Sequence, residues 1–130
     1  MKIDHIGYVV KNIYEAIKQF EVLGFQFEPV VNDTDRNIQI SFGENGKCCI
    51  ELVCPLDKGK NSPADIYLSK VGPTPYHVCY QSENLESDIE VLKRQGFRLI
   101  VNPARAEAFG GRRVAFMTSL ETGLMEIVET

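Results

Sequence analysis

Ile3-Asp4-His5-Ile6-Gly7-Tyr8-Val9-Val10-Lys11-Asn12-Ile13 opens the chain, and its pattern returns 72 residues later. His77 follows His5 by 77 − 5 = 72 residues. In the same frame Asn12-Ile13 is echoed by Asn84-Leu85, Ile17 by Ile89, and Gly24-Phe25 by Gly96-Phe97. A period this long is not a solenoid unit but a small module used twice. A second pair follows at a slightly longer interval, since 126 − 51 = 75 separates Glu51 from Glu126. Three residues are therefore inserted between the Gly-Phe pair and the glutamate of the second copy.

Each copy reads as strand, helix, strand, strand, strand. Ile3 to Val10 alternates weakly and ends at Lys11-Asn12, with Asn12 a suitable helix N-cap. Ile13, Ala16, Ile17, Phe20 and Leu23 then recur at helical spacing, and Gly24 stops the helix. Strands are expected over residues 25–31, 37–42 and 47–53, with Gly43-Glu44-Asn45-Gly46 as the hairpin between the last two. The second copy predicts a strand over 76–81, a helix over 85–95 capped by Asn84, and strands near 97–101, 112–118 and 124–128. The modules span 1–54 and 76–130. The connection 55–75 holds a short helix with Ser62 as N-cap and Pro63 at its first position. The whole reads as one domain of two modules.

His5, Glu51, His77 and Glu126 each lie inside a short apolar strand run, and the chain has no other histidine. Neutral imidazoles and carboxylates together are a ligand set for a borderline or hard divalent metal. A lone strand histidine is more often a hydrogen-bonded core residue, and strand glutamates can turn to water because faces alternate. Two His and two Glu at repeat-related places outweigh that reading, because a buried ionised carboxylate is costly unless it is paired or coordinated. Glu129 lies at odd spacing from Glu126 and is expected to be solvated. Arg112 and Arg113, after Gly110-Gly111, suit either an anion or an exposed strand edge. Tyr8, Tyr76 and Tyr80 read as core or pocket lining, and Phe109 as a pocket cap or a loop anchor.

A length of 130 residues with 44% hydrophobic content suffices for a packed interior. The net charge of −4, with Lys and Arg dispersed, argues against nucleic acid as a partner. Cys48, Cys49, Cys54 and Cys79 form no CxxC pair. Their strand positions suggest reduced, mostly buried thiols in a cytoplasmic protein. No signal segment or membrane-length apolar run is visible, so no membrane partner is expected.

The chain resembles the vicinal oxygen chelate superfamily of glyoxalases, bleomycin-resistance proteins and dioxygenases. Within it, the likeness is greatest to glyoxalase I and methylmalonyl-CoA epimerase. The resemblance rests on Asp4-His5-Ile6-Gly7, Leu23-Gly24-Phe25, Ile50-Glu51-Leu52-Val53, Tyr76-His77-Val78, Gly110-Gly111-Arg112-Arg113 and Gly123-Leu124-Met125-Glu126-Ile127. It implies an α+β fold in which two tandem βαβββ modules form a curved, mostly antiparallel eight-stranded sheet around a central cleft. It also implies that His5, Glu51, His77 and Glu126 ligate one divalent ion (Ni, Co, Zn or Mn).

By the same resemblance the activity is that of a glyoxalase-type lyase or isomerase. Such an enzyme abstracts a proton alpha to a carbonyl of a small thiohemiacetal or acyl-CoA thioester, with Glu126 as main base and Glu51 as second. Family members often pair, so a homodimer is expected. The alternative is a non-catalytic drug-binding protein of the bleomycin-resistance type, whose members typically lack the ligand carboxylates. Three positions depart from the family pattern. Val9 stands where glyoxalase I has an arginine for glutathione, Gln39 where some epimerases have a second glutamate, and Tyr76 where epimerases tend to have a second histidine.

Overall fold

A computed structural model describes all 130 residues, Met1–Thr130. The first copy comprises β1 (Ile3–Val9), α1 (Ile13–Val22), β2 (Gln26–Phe27), β3 (Val31–Asp33), β4 (Ile38–Asn45) and β5 (Cys48–Pro55). After α2 (Asp65–Lys70) come β6 (Thr74–Ser82), α3 (Leu85–Arg94), β7 (Arg98–Arg105), β8 (Arg113–Ser119) and β9 (Gly123–Glu129). This is the α+β fold of two βαβββ modules that the repeat implies. There are nine strands rather than eight, because Pro29, which offers no N–H to a ladder, separates β2 from β3.

The chain forms two compact units, Ile6–Tyr76 and Met1–His5 with His77–Thr130. The boundary falls inside β1, so His5 belongs with the second copy of the module. In the first unit the strand order is β2-β4-β5-β1, with β3 also paired to β4; in the second it is β6-β9-β8-β7. The pairs β1·β5 and β6·β9 are parallel, and the remaining described pairs antiparallel.

The helices α1 and α3 each start where an asparagine caps them. The Asn12 side chain accepts from the Glu15 N–H at 3.2 Å, and Asn84 accepts from the Ser87 N–H at 3.0 Å. Under α1 the strand residues Ile6, Tyr8, Ile50, Leu52 and Cys54, with Val10 just past β1, pack with Ile13, Ile17 and Phe20. Under α3 the residues Tyr80, Ala115, Met117, Met125 and Ile127 pack with Leu85, Ile89 and Leu92. In each copy, then, one sheet face is committed to the helix. The other carries the alternate residues, His5 and Glu51 among them in the first copy and His77 and Glu126 in the second.

The three inserted residues are spread over three places. From Phe27↔Gly43 to Val31↔Ile40 the first copy sets four residues against three; from Leu99↔Met117 to Ala104↔Val114 the second sets five against three. The Asp33↔Ile38 turn encloses residues 34–37. Its counterpart, closed by the Ala106 N–H donating to the Arg112 carbonyl at 3.1 Å, encloses 107–111. The hairpin after Asn45↔Cys48 holds residues 46–47, and that after Ser119↔Gly123 holds 120–122. One residue is thus added at a bulge of β7, one in each turn, and none in the strands that carry the histidines or glutamates.

Several local expectations shift. β4 runs on through Gly43 to Asn45, so the turn is the Gly46-Lys47 pair, with Gly46 at φ 60° in the first central place. As a result Cys48 lies at the strand mouth and is exposed; Cys49 is half-buried, and Cys54 and Cys79 are buried. Leu23 ends up past the helix and mostly exposed. α2 begins two residues later than expected, although Ser62 still braces it: its hydroxyl donates to Asp65 at 2.9 Å and accepts from the Ala64 N–H at 3.2 Å. No helix is long and apolar enough to cross a membrane.

Candidate metal centre

His5, Glu51, His77 and Glu126 are 1%, 4%, 3% and 2% exposed, so the face away from the helices is closed to water at all four positions. A strand glutamate turning outward, the bland alternative, does not occur here. The two glutamates also hold the same place in their units. Glu51 pairs with Gly7, two residues beyond His5, on the parallel neighbour, and with Phe42 on the antiparallel one. Glu126 pairs with Cys79, two residues beyond His77, and with Phe116.

Three of the four meet within the second unit. Oε2 of Glu126 lies 3.2 Å from His5 Nε2 and 3.1 Å from His77 Nε2, and the two Nε2 atoms are 3.4 Å apart. Burial alone would push the Glu126 carboxyl up. The adjacent imidazoles of His5 and His77 outweigh it and hold the carboxyl well below its ordinary value, down to about 2.

The fit to a cation can be judged from these edges. With bonds of about 2.1 Å, as for imidazole or carboxylate on zinc, neighbouring donors stand roughly 3.0 Å apart at right angles and roughly 3.4 Å apart at the tetrahedral angle. The observed edges fall in that range, and two imidazoles with one anionic oxygen suit a borderline divalent ion. The residues present fit the group.

Two residues without a role in the repeat, Asp4 and Gln81, adjoin this triangle. His5 Nδ1 is 2.8 Å from Asp4 Oδ2, and Asp4 Oδ1 accepts from Gln81 Nε2 at 2.9 Å. The hydrogen bond from His5 holds the Asp4 carboxyl below its ordinary range against the opposing effect of burial, with Gln81 helping. Asp4 sits beside His5 in a strand, where alternation places neighbours on opposite faces. Its role came from the sideways reach of Nδ1, which residue spacing does not encode.

Phe109 lies buried in a single 3-10 turn (Glu107–Phe109), its ring centroid 5.7 Å from that of His5. Arg112 Nε donates to the Phe109 carbonyl at 3.1 Å. Arg113 is engaged by two carboxylates: Nη1 donates to Glu86 at 2.6 Å, and Nη2 donates to Glu129 at 2.6 Å. Glu129, expected in solvent, is therefore an ion-pair partner. Gln39 donates to Asn32 Oδ1 at 3.2 Å.

Residues 4–116 match the model of the Glyoxalase/Bleomycin resistance protein/Dioxygenase superfamily, a span that includes His5, Glu51 and His77. The chain belongs to this superfamily. An uncharacterized Bacillus subtilis protein, YqjC, is 30% identical over 131 residues, covering 98% of this chain and 91% of its own length. Mouse mitochondrial methylmalonyl-CoA epimerase is 27% identical over 124 residues, 94% of this chain and 68% of the epimerase. Among solved structures, methylmalonyl-CoA epimerase from Mycobacterium tuberculosis superposes with a TM-score of 0.83 at 26% identity, over 98% of this chain and 86% of that one.

Proposed function

We propose that this superfamily member is a divalent-metal enzyme that removes and returns the proton alpha to the carbonyl of an acyl-CoA thioester, an epimerase-type reaction. The observation that carries it is the buried triangle of His5 Nε2, His77 Nε2 and Glu126 Oε2, with edges of 3.1 to 3.4 Å. The likeness to two methylmalonyl-CoA epimerases at 26% and 27% identity supports the thioester over a glutathione adduct. So does Val9, fully buried where a glutathione-binding arginine would be needed.

Glu51 is the fourth ligand in this reading. It rests on the shared register: each glutamate stands opposite the residue two places beyond a histidine. A divalent ion held by the set would supply Lewis-acid stabilisation to negative charge on the substrate oxygens. His5 and His77 act as neutral donors, and their burial keeps competing water away. Glu126 is the principal proton acceptor. Pressed between two imidazoles it is a weak base, so taking the proton from carbon requires its Oε2 contacts to loosen. The C–H electron pair then spreads onto the carbonyl oxygen, and the proton returns to carbon from Glu126 or from Glu51, the second exchanging group. Gln39 takes no part in proton transfer, because an amide is not a base at neutral pH and its Nε2 is engaged with Asn32.

The test is wash-in of solvent deuterium at the alpha carbon of methylmalonyl-CoA, followed by mass spectrometry on metal-loaded protein. Glu126→Gln should slow exchange on the order of 100-fold or more. Wild-type protein that exchanges nothing, or that instead turns over methylglyoxal with glutathione, overturns the thioester reading. An undiminished Glu126→Gln variant removes that residue from catalysis.

A further inference from the structure

The triangle has an asymmetry that the repeat does not predict. Asp4, immediately before His5, corresponds to Tyr76 before His77, and Gln81 corresponds to Val9 at the offset of 72. Only the first histidine is therefore preceded by a carboxylate. That carboxylate is committed at both oxygens, Oδ2 to His5 Nδ1 at 2.8 Å and Oδ1 to Gln81 Nε2 at 2.9 Å. Gln81 is itself tied down, its backbone N–H donating to the Lys2 carbonyl at 2.8 Å.

We propose that Asp4, clasped by Gln81, is a positioning residue that fixes the His5 tautomer and raises the donor strength of its Nε2. The inference rests on the metal-enzyme reading above. An ionised carboxylate only accepts, so a neutral His5 must carry its proton on Nδ1. That points the Nε2 lone pair toward Glu126 and His77. A carboxylate behind a ligating imidazole holds the ring plane and makes the ring a better donor. Donor atoms of Asp4, His5 and Cys79 also lie within 4.8 Å of one another. With Asp4 taken up by the His5 proton and Gln81, that group forms the outer layer of the same centre rather than a second cation site. The orientation of His5 is thus set by β6 as well as by its own strand.

Two measurements test this separately from turnover. In the metal-free protein, nitrogen-15 NMR of the two histidines should give His5 as the Nδ1-protonated tautomer, and Asp4→Ala should lose that preference. Competition for Zn²⁺ against a chromogenic chelator should show affinity falling about 10- to 100-fold in Asp4→Ala. Asp4→Asn, which keeps an acceptor but not the charge, should lose less, and Gln81→Leu least. Should Asp4→Ala fail to fold, Asp4→Asn and Gln81→Leu carry the same comparison. An unchanged tautomer together with unchanged affinity in the variants overturns the role of Asp4. Wild-type protein that takes up no Zn²⁺ overturns the metal reading instead, and the tautomer measurement then still decides whether Asp4 orients His5.

Discussion

The two copies of the module agree in the register of their histidines and glutamates and differ in their turns and in the residues that flank the histidines. Glu51 and Glu126 hold matching registers, each opposite the residue two beyond a histidine and each beside a phenylalanine, Phe42 or Phe116. The inserted residues fall instead in a bulge of β7 and in two turns. A parallel strand pair fixes which side chains share a height on one face, and a one-residue slip would flip the whole strand. Insertions are tolerated only where they leave that register alone.

If both copies contribute equally to one ion, removing either histidine should do equal harm. His5→Ala and His77→Ala should each weaken Zn²⁺ binding beyond the roughly 10- to 100-fold typical of losing an outer-layer partner. Metal content by mass spectrometry and chelator competition would measure it. A His77→Ala variant that retains full metal content would break the equivalence and leave the second histidine a core residue.

The next largest difference concerns packing. In the first copy Gly43 faces Phe27, and a Cβ built on Gly43 would lie 2.3 Å from the Phe27 ring. That ring cannot swing clear easily, being packed on Phe20 and Phe25 with centroids 6.3 and 6.1 Å away. The corresponding pair in the second copy is Met117 with Leu99. The same space is filled once from one side of the pair and once from both. Gly43→Ala should destabilise by about 1–3 kcal/mol through overpacking. Adding Phe27→Leu, which imitates the second copy, should recover part of that, so the double variant is less destabilised than the sum of the singles. Additive losses in denaturant titrations would mean the clash is relieved elsewhere.

What the sequence made legible follows the same division. The repeat exposed His5 and His77 because strand and helix spacing preserve an offset. The strand-helix-strand order was readable because Asn12 and Asn84 cap helices by the same local hydrogen bond. The facing of Glu51 was ambiguous from alternation alone; it needed the knowledge that the face opposite α1 is buried too. The end of β4 was misjudged because Gly43 reads as turn chemistry, whereas it is there to make room for Phe27, a tertiary reason invisible to local pattern. With the turn moved to Gly46-Lys47, Cys48 is the first residue of β5 and lies exposed at the strand mouth. Asp4 and Gln81 were missed because they meet across strands, through side-chain reach rather than spacing.

The smallest expected effect lies in a device present in only one copy. Arg113 pairs with Arg105 as Gln39 pairs with Asn32, so the residue corresponding to Gln39 is an arginine held by Glu86 and Glu129. Its hydrogen bonds lower the pKa of both carboxyls from the usual 4.5. Groups depressed on folding stabilise above their unfolded pKa, and that contribution is lost as pH falls through the folded values. Arg113→Gln, which copies the first module, should therefore lower Tm slightly at neutral pH, and the gap to wild type should close as the pH drops below 4.5. Because Glu86 is exposed and the Arg113 and Glu129 side chains are each 32% exposed, added salt should narrow the gap as well. A gap that stays constant from neutral to acid pH would mean that Arg113 acts by packing its stem rather than by charge, and would remove this electrostatic difference between the two copies.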